Sequence, residues 1–131
     1  MRLLLDTHVA LWAIVDDDRL PQHAAALIAE PANTIIVSAA SVWEIAIKRA
    51  LNRGGPHDMP VSAPEALKFF IAAGYEILPI RAEHAAAVQE LPDIHRDPFD
   101  RLLVAQALYE PLRLMTHDQT VKLYSDSFML V

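Results

Sequence analysis

Short apolar runs alternate with helical stretches along the chain, and this alternation constrains the fold more than any other feature of the sequence. The runs lie at 3–5, 34–37, 75–80, 112–115 and 128–131. The first is continuous and ends at a charged residue, a form typical of a parallel strand that is buried on both faces. The alternation predicts an α/β fold with a mainly parallel sheet of about five strands and helices on both faces, joined by right-handed crossovers.

Seven stretches have helical patterning: 7–15, 21–28, 38–51, 64–73, 81–91, 98–109 and 119–124. Pro21 and Pro98 stand at first-turn positions, where proline is tolerated, and Gly74 follows the fourth stretch as a helix-ending residue. No repeat or linker divides the 131 residues, a length that suits one domain, so we predict a single domain from Met1 to Val131.

Composition excludes several classes of protein. The content of apolar residues, 53%, excludes a disordered chain, and the lack of cysteine excludes a disulfide scaffold and a cysteine-bound metal site. We find neither a membrane-spanning run nor a signal peptide, and therefore expect a soluble cytoplasmic protein. Since the net charge is −6, a nucleic-acid role would need a local basic patch or bound cations.

Acidic residues gather where a ligand is expected. In an open α/β sheet the ligand crevice lies outside the carboxyl ends of the strands. Five acids follow the first, second and fourth runs or begin the helix that leads into the fourth: Asp6, Glu44, Asp97, Asp100 and Asp118. If these three strands are neighbours, the carboxylates converge on one edge of the sheet.

Each acid also has a purely structural interpretation. Three of them have the position of a helix N-cap: Asp6, Asp97 and Asp118. Ser41 and Glu44 fit a capping box, and Glu44 with Lys48 forms a favourable i,i+4 pair. A binding module without catalytic activity, controlled by a protein partner, therefore stays open as an alternative.

Asp100 favours the functional interpretation. It shares a helix face with Leu103, Val104 and Ala107, and this face is predicted to turn towards the core. A cation is an economical partner for a carboxylate placed there. Several carboxylates without cysteine or a close histidine pair form an all-oxygen set, which suits Mg²⁺ or Mn²⁺.

The histidines show no metal-ligand spacing, and we predict that they are ordinary surface or capping residues: His8, His23, His57, His84, His95 and His117. Two of them, His8 and His117, are nearest to the acids in sequence and are therefore candidates for substrate contact.

Four sequence blocks resemble the PIN-domain family, in particular the VapC-like toxins of bacterial toxin–antitoxin pairs. They are LLLDTH at 3–8, SAASVWEIAIK at 38–48, HRDPFDRLLVAQA at 95–107 and LMTHD at 114–118. The resemblance implies a three-layer α/β/α sandwich and a Mg²⁺-dependent endoribonuclease, with Mn²⁺ as a substitute. It maps the acidic quartet of that family onto Asp6, Glu44, Asp100 and Asp118, with Asp97 as a fifth acid.

The resemblance also assigns roles to other residues and implies partners. Small polar residues that support the acids are Thr7, Ser38 and Thr116. Basic residues expected to neutralise RNA phosphates are Lys48, Arg96 and Arg101, although Lys48 also has Glu44 as a structural partner. A homodimer and a small antitoxin, whose C-terminal segment lies over the active site, are the implied protein partners. The apolar stretches 7–15 and 21–28 are expected to form the twofold contact.

Overall fold

The computed structural model describes all 131 residues of the chain. Its five strands are β1 (Arg2–Leu5), β2 (Thr34–Ser38), β3 (Glu76–Leu78), β4 (Arg113–Thr116) and β5 (Met129–Leu130). Its seven α-helices are α1 (Thr7–Val15), α2 (Gln22–Ala29), α3 (Ala39–Ala50), α4 (Ala63–Ala72), α5 (Ala82–Ala87), α6 (Pro98–Tyr109) and α7 (Gln119–Lys122), and a 3₁₀ turn spans Val88–Glu90. None of the helices combines the length and the apolar character needed to cross a membrane.

The five strands form one parallel sheet in the order β3-β2-β1-β4-β5. Leu5 at the end of β1 pairs with Val37 on β2 and with Met115 on β4. The next residue along each of these three strands therefore lies at the same edge of the sheet: Asp6, Ser38 and Thr116. This register is the reason why polar residues distant in sequence meet there.

Two apolar cores, one on each face of the sheet, hold the layers together. Leu3 and Leu5 belong to the larger core, which also contains residues of α1, α2 and α4. Leu4 belongs to the second core, which contains residues of α6. Successive side chains of a strand point to opposite faces of the sheet. Since a core covers each face, all three leucines are completely buried. The predicted three-layer α/β/α sandwich is confirmed.

Most elements differ from their predicted extents by one or two residues, and two of them are shorter by three or more. The strand predicted at 75–80 is shorter, because the N–H of Tyr75 bonds to the carbonyl of Phe70 at the end of α4 and Pro79 has no N–H to donate. The helix predicted at 81–91 is an α-helix only to Ala87, after which the chain continues as the 3₁₀ turn.

Side chains cap the helices that begin at the carboxyl edge of the sheet. The three predicted acidic N-caps are confirmed: Asp6 on α1, Asp97 on α6 and Asp118 on α7. The capping-box interpretation of Ser41 and Glu44 is wrong. Ser38 already caps α3, which places Ser41 inside the helix.

A buried polar network connects this edge to α5 and α6. The hydroxyl of Ser38 donates to Oε1 of Gln106 at 2.5 Å, and Nε2 of Gln106 lies 3.3 Å from Nδ1 of His84. Nε2 of His84 lies 2.7 Å from a carboxylate oxygen of Glu110. His84 is completely buried, so it is not a surface residue, but its Nδ1 accepts the N–H of the N-cap residue Arg81, which agrees with the alternative prediction of a capping residue. Burial is tolerated because Gln106, Glu110 and the N–H of Arg81 satisfy both ring nitrogens.

Candidate active site

A polar cavity of 610 Å³ opens at the carboxyl edge of the sheet. No hydrophobic side chain lines it. Its walls carry all five acids that the sequence singles out: Asp6, Glu44, Asp97, Asp100 and Asp118. They come from α3, from α6 and from the caps of α1, α6 and α7. The fold therefore gathers in one cavity carboxylates that are spread from one end of the sequence to the other.

Asp6 is buried at the junction of β1 and α1. Its Oδ1 accepts the N–H of Val9 at 2.9 Å, and its Oδ2 accepts the Thr116 hydroxyl at 2.6 Å and the N–H of His117 at 3.2 Å. Burial raises the pKa of Asp6, although the three hydrogen bonds act to lower it. Thr116 contacts an acid, which agrees with its predicted supporting role.

Glu44 projects from the second turn of α3 and is also buried. Its Oε1 accepts the hydroxyl of Thr7 at 2.7 Å, and its Oε2 lies 2.7 Å from Nζ of Lys48. The hydroxyl of Ser41 is 2.9 Å from that of Thr7. Both oxygens of Glu44 are thus held, and its predicted pair with Lys48 is confirmed.

Asp100 lies in the first turn of α6 and is the least compensated charge of the cavity. Its neighbours on the same face, Leu103 and Val104, are buried, as the helical pattern predicts. No group donates a hydrogen bond to its carboxylate, and the closest basic nitrogen is Nε2 of His95 at 3.3 Å. Burial, followed by the negative charge of Asp97, raises the pKa of Asp100 to about 7.

Asp97 and Asp118 cap helices and line the cavity at once. Oδ1 of Asp97 accepts two backbone N–H groups of α6, at 2.8 and 3.1 Å. Oδ1 of Asp118 accepts the N–H of Thr120 at 2.8 Å, whereas its Oδ2 lies 2.9 Å from Nε2 of His95. Partial burial acts to raise the pKa of Asp118, but the hydrogen bonds from His95 and the α7 backbone outweigh it and lower the pKa.

His95 is the site residue that sequence reasoning missed. It was predicted to be an ordinary surface or capping residue, yet its ring lies between Asp100 and Asp118. A local signal was present, since His95 stands two residues before the cap Asp97. At this spacing the ring of His95 lies beside the start of α6, where its Nδ1 accepts the N–H of Asp97. The two histidines predicted to contact substrate, His8 and His117, line the cavity, as their closeness in sequence to the acids suggests.

The three predicted phosphate-binding residues lie in different places. Lys48 lines the cavity and is exposed. Arg96 is exposed but is not among the cavity residues. Arg101 does not face the cavity, because its guanidinium donates to the carbonyls of Val88, Pro92 and His95, each at 3.2 Å. The substrate role predicted for Arg101 is therefore wrong, and this residue holds the loop before α6.

Ser38 also differs from its prediction. Thr7 and Thr116 each contact an acid, but Ser38 contacts Gln106 and the backbone of α3 instead. Its effect on Glu44 is indirect, since it anchors the N-terminus of the helix that carries Glu44.

Asp97→Ala is expected to destabilise the protein by about 0.5–2 kcal/mol, because two N–H groups of α6 lose their acceptor. Thermal unfolding without metal measures this loss.

Asp97→Asn is the matched control, since asparagine caps a helix about as well as aspartate and removes only the charge. It should keep most of the stability lost in Asp97→Ala. Unchanged stability of Asp97→Ala would contradict the capping role.

The donor set of the cavity fits a hard divalent cation. The five carboxylates supply oxygen ligands, which Mg²⁺ and Mn²⁺ prefer. Asp100 offers a carboxylate with no hydrogen-bond donor of its own, and burial and the charge of Asp97 raise its pKa. A cation at this place would relieve the repulsion among the acids.

The sequence of this chain also matches a known protein family. The PIN domain family model matches residues 3–125. The chain belongs to the PIN domain family. No curated protein sequence matches it.

Solved structures of toxin–antitoxin proteins have the same fold. VapBC2 from Rickettsia felis, bound to a DNA fragment from its promoter, aligns with a TM-score of 0.68 and 19% identity over 100% of this chain and 98% of that chain. DNA-bound VapBC from Salmonella typhimurium gives 0.67 and 13% over 100% and 97%. VapC20 from Mycobacterium tuberculosis, a sarcin-ricin loop cleaving toxin, gives 0.64 and 15% over 98% of both chains. At these identities the similarity concerns the fold.

Proposed function

We propose that this protein is a Mg²⁺-dependent endoribonuclease and the toxin of a toxin–antitoxin pair, acting in the cytoplasm. The observation that carries the proposal is the convergence of five carboxylates, one of them with a pKa of about 7, in a cavity without hydrophobic walls. Membership of the PIN domain family supports nuclease chemistry. The structural neighbours support the toxin assignment, since one of them is a toxin that cleaves the sarcin-ricin loop.

The free lone pairs of the acids suggest which of them hold the cation. Asp100 is the best candidate, since its carboxylate accepts no hydrogen bond. Asp6 uses one hydrogen bond on Oδ1 and retains acceptor capacity there. Asp118 uses Oδ1 for its helix cap and would act through Oδ2, directly or through water. When bound, the cation would lower the pKa of a water molecule and stabilise negative charge on the scissile phosphate.

Glu44 is the candidate for orienting the attacking water. Thr7 donates to one carboxylate oxygen of Glu44 and Lys48 pairs with the other, so the carboxylate has little rotational freedom. Lys48 keeps an exposed ammonium at the cavity and is the candidate for contact with an RNA phosphate. His8 and His117 would lie along the same path.

The alternative is a binding module without catalytic activity. The confirmed caps at Asp6, Asp97 and Asp118 favour it, because each of these acids has a structural function. Asp100 argues against it, since its carboxylate caps no helix and lacks a hydrogen-bond donor. Metal titration combined with an RNA cleavage assay separates the two proposals.

The direct test is cleavage of a single-stranded RNA by the purified protein. We expect cleavage with Mg²⁺ or Mn²⁺, its loss with EDTA, and its return when Mn²⁺ is added in excess. Sequencing of RNA ends after brief induction in cells would then identify the target. Metal-dependent stabilisation without cleavage of any RNA would support the binding module instead.

The antitoxin is the proposed protein partner. A second cavity of 390 Å³ adjoins the acidic one and shares His8 and Lys48 with it. Its lining combines the apolar side chains Leu11 and Met59 with charged residues. A protein segment bound there would cover Lys48 and the entrance to the acids, which suits an inhibitor of the proposed nuclease.

A homodimer is also proposed, but not through the surface expected from the sequence. Most of the apolar side chains in 7–15 and 21–28 are packed into the core, so they are not free for a partner. Exposed apolar residues instead form a stripe along α3 and its C-cap residue at i, i+4 and i+8: Trp43 at 56%, Ile47 at 40% and Leu51 at 65%. Adjacent exposed apolar residues of this size are typical of a protein interface.

Sedimentation at micromolar concentration should show a dimer, and Ile47→Asp should shift it to monomer because a charge would be buried at the contact. Ile80→Asp is the matched control, since Ile80 is also 40% exposed but lies outside α3. A wild-type monomer would remove the proposal. If Ile47→Asp is still a dimer, the contact between the two copies does not lie on α3.

A further inference from the structure

His95 lies between two partly buried acids of the cavity, Asp100 and Asp118. Its Nε2 is 2.9 Å from Oδ2 of Asp118 and 3.3 Å from Oδ2 of Asp100. One ligand atom from each of the three residues lies within 4.8 Å of the others. By distance alone, the three residues resemble a ligand set for a metal that accepts nitrogen.

The other ring nitrogen argues against this assignment. Nδ1 of His95 accepts the backbone N–H of Asp97 at 3.0 Å, so Nδ1 carries no hydrogen. The ring hydrogen is therefore on Nε2, which faces Asp118 as a donor. A histidine that binds a metal through Nε2 needs a free lone pair on that atom, and it usually donates its second ring N–H to an acceptor. His95 has the reverse arrangement.

The backbone around His95 keeps the ring in this orientation. The N–H of His95 donates to the hydroxyl of Tyr124 at 2.8 Å, and its carbonyl accepts from Nη1 of Arg101 at 3.2 Å. Arg101 also contacts the Tyr124 hydroxyl at 3.2 Å. Moving the ring hydrogen to Nδ1, so that Nε2 could bind a metal, would leave the N–H of Asp97 without its acceptor.

We propose that His95 is a positioning residue that donates Nε2–H to Asp118 and is not a metal ligand. This inference rests on the proposed function. The hydrogen bond from His95 connects the start of α7, which Asp118 caps, with the loop before α6. It thereby fixes the distance between Asp118 and Asp100. It also leaves the centre with oxygen ligands only, which favours Mg²⁺ and Mn²⁺ over metals that bind imidazole strongly, such as Zn²⁺ and Ni²⁺.

Two variants separate a donor from a ligand. In His95→Gln the side-chain amide keeps a donor near the position of Nε2, whereas His95→Leu removes the donor. We expect His95→Leu to bind Mn²⁺ about 10–100-fold more weakly, the usual cost of losing a partner of a metal ligand, and His95→Gln to lose less. Titration calorimetry with Mn²⁺ measures both.

Two spectroscopic readouts test the inference without an activity assay. Pulsed electron paramagnetic resonance of bound Mn²⁺ should show no directly bonded ¹⁴N from His95 in the wild type. ¹⁵N NMR of the metal-free protein should show Nε2 of His95 protonated and Nδ1 unprotonated. A directly bonded nitrogen signal that disappears in His95→Gln would overturn the inference, and so would protonation at Nδ1 alone.

These results are distinguishable from failure of the proposed function. If neither the wild type nor Asp100→Asn binds Mn²⁺, the proposed metal centre is wrong. The NMR experiment then still decides whether His95 is a donor to Asp118, because it uses no metal.

Discussion

Asp100→Asn is expected to abolish metal-dependent RNA cleavage while the metal-free protein stays as stable as the wild type or becomes more stable. Asparagine is nearly isosteric with aspartate but carries no charge to attract the cation. Loss of an outer partner of a metal ligand costs about 10–100-fold, so loss of a ligand should cost at least about 100-fold in activity. Stability does not fall, because the ionised carboxylate receives no hydrogen bond and is repelled by Asp97.

Cleavage of a single-stranded RNA with Mn²⁺ and thermal unfolding with EDTA measure the two effects in the same preparation. Asp93→Asn is the matched control, since Asp93 is an exposed carboxylate of the loop before α6 and does not line the cavity. It should leave both measurements unchanged. If Asp100→Asn keeps its activity while Asp97→Ala loses all activity without loss of stability, the roles of the two acids are reversed.

Mg²⁺ or Mn²⁺ should raise the melting temperature, and the increase should be larger at about pH 8 than at about pH 5.5. At 100 times the Kd the added stability is about 2.7 kcal/mol. The cation competes with a proton for Asp100, whose pKa is about 7. Apparent affinity should therefore fall as the pH drops below this value, because the proton must first be displaced.

The metal-free protein should show the opposite trend. The pKa of Asp100 is raised from 3.8 in the unfolded chain to about 7 in the fold, so between these values the folded state binds more protons. Ionisation of Asp100 consequently lowers the stability as the pH rises from about 4 to about 7. The raised pKa of Asp6 acts in the same direction. Asp100→Asn should weaken this dependence.

Differential scanning fluorimetry at low ionic strength over this pH range tests both trends. Each pH is measured with EDTA, Ca²⁺, Mg²⁺ and Mn²⁺. An unchanged melting temperature with every cation would argue against a metal centre. Equal stabilisation at both ends of the range would show instead that a cation binds without displacing a proton from Asp100.

The candidate site could be predicted in part because two of its determinants are local. Asp6 was recognisable because it directly follows an apolar strand, and Asp97 because it precedes Pro98 at a helix start. Both signals depend on the neighbouring residues alone. Arg101 was misassigned for the opposite reason, since its acceptors are carbonyls of a loop whose path the sequence does not reveal.

The sequence by itself determined the α/β class, the type and order of the helices and strands, and the acids at the carboxyl edge of the sheet. Burial on both faces requires continuous apolar strands, and helix caps require particular side chains, so both leave a mark on neighbouring residues. Only the tertiary structure decided that His95 meets Asp118 and that His84 is buried, because these depend on partners distant in sequence. It also decided the charge balance at Asp100, since desolvation and the proximity of other carboxylates exist only after the layers have packed.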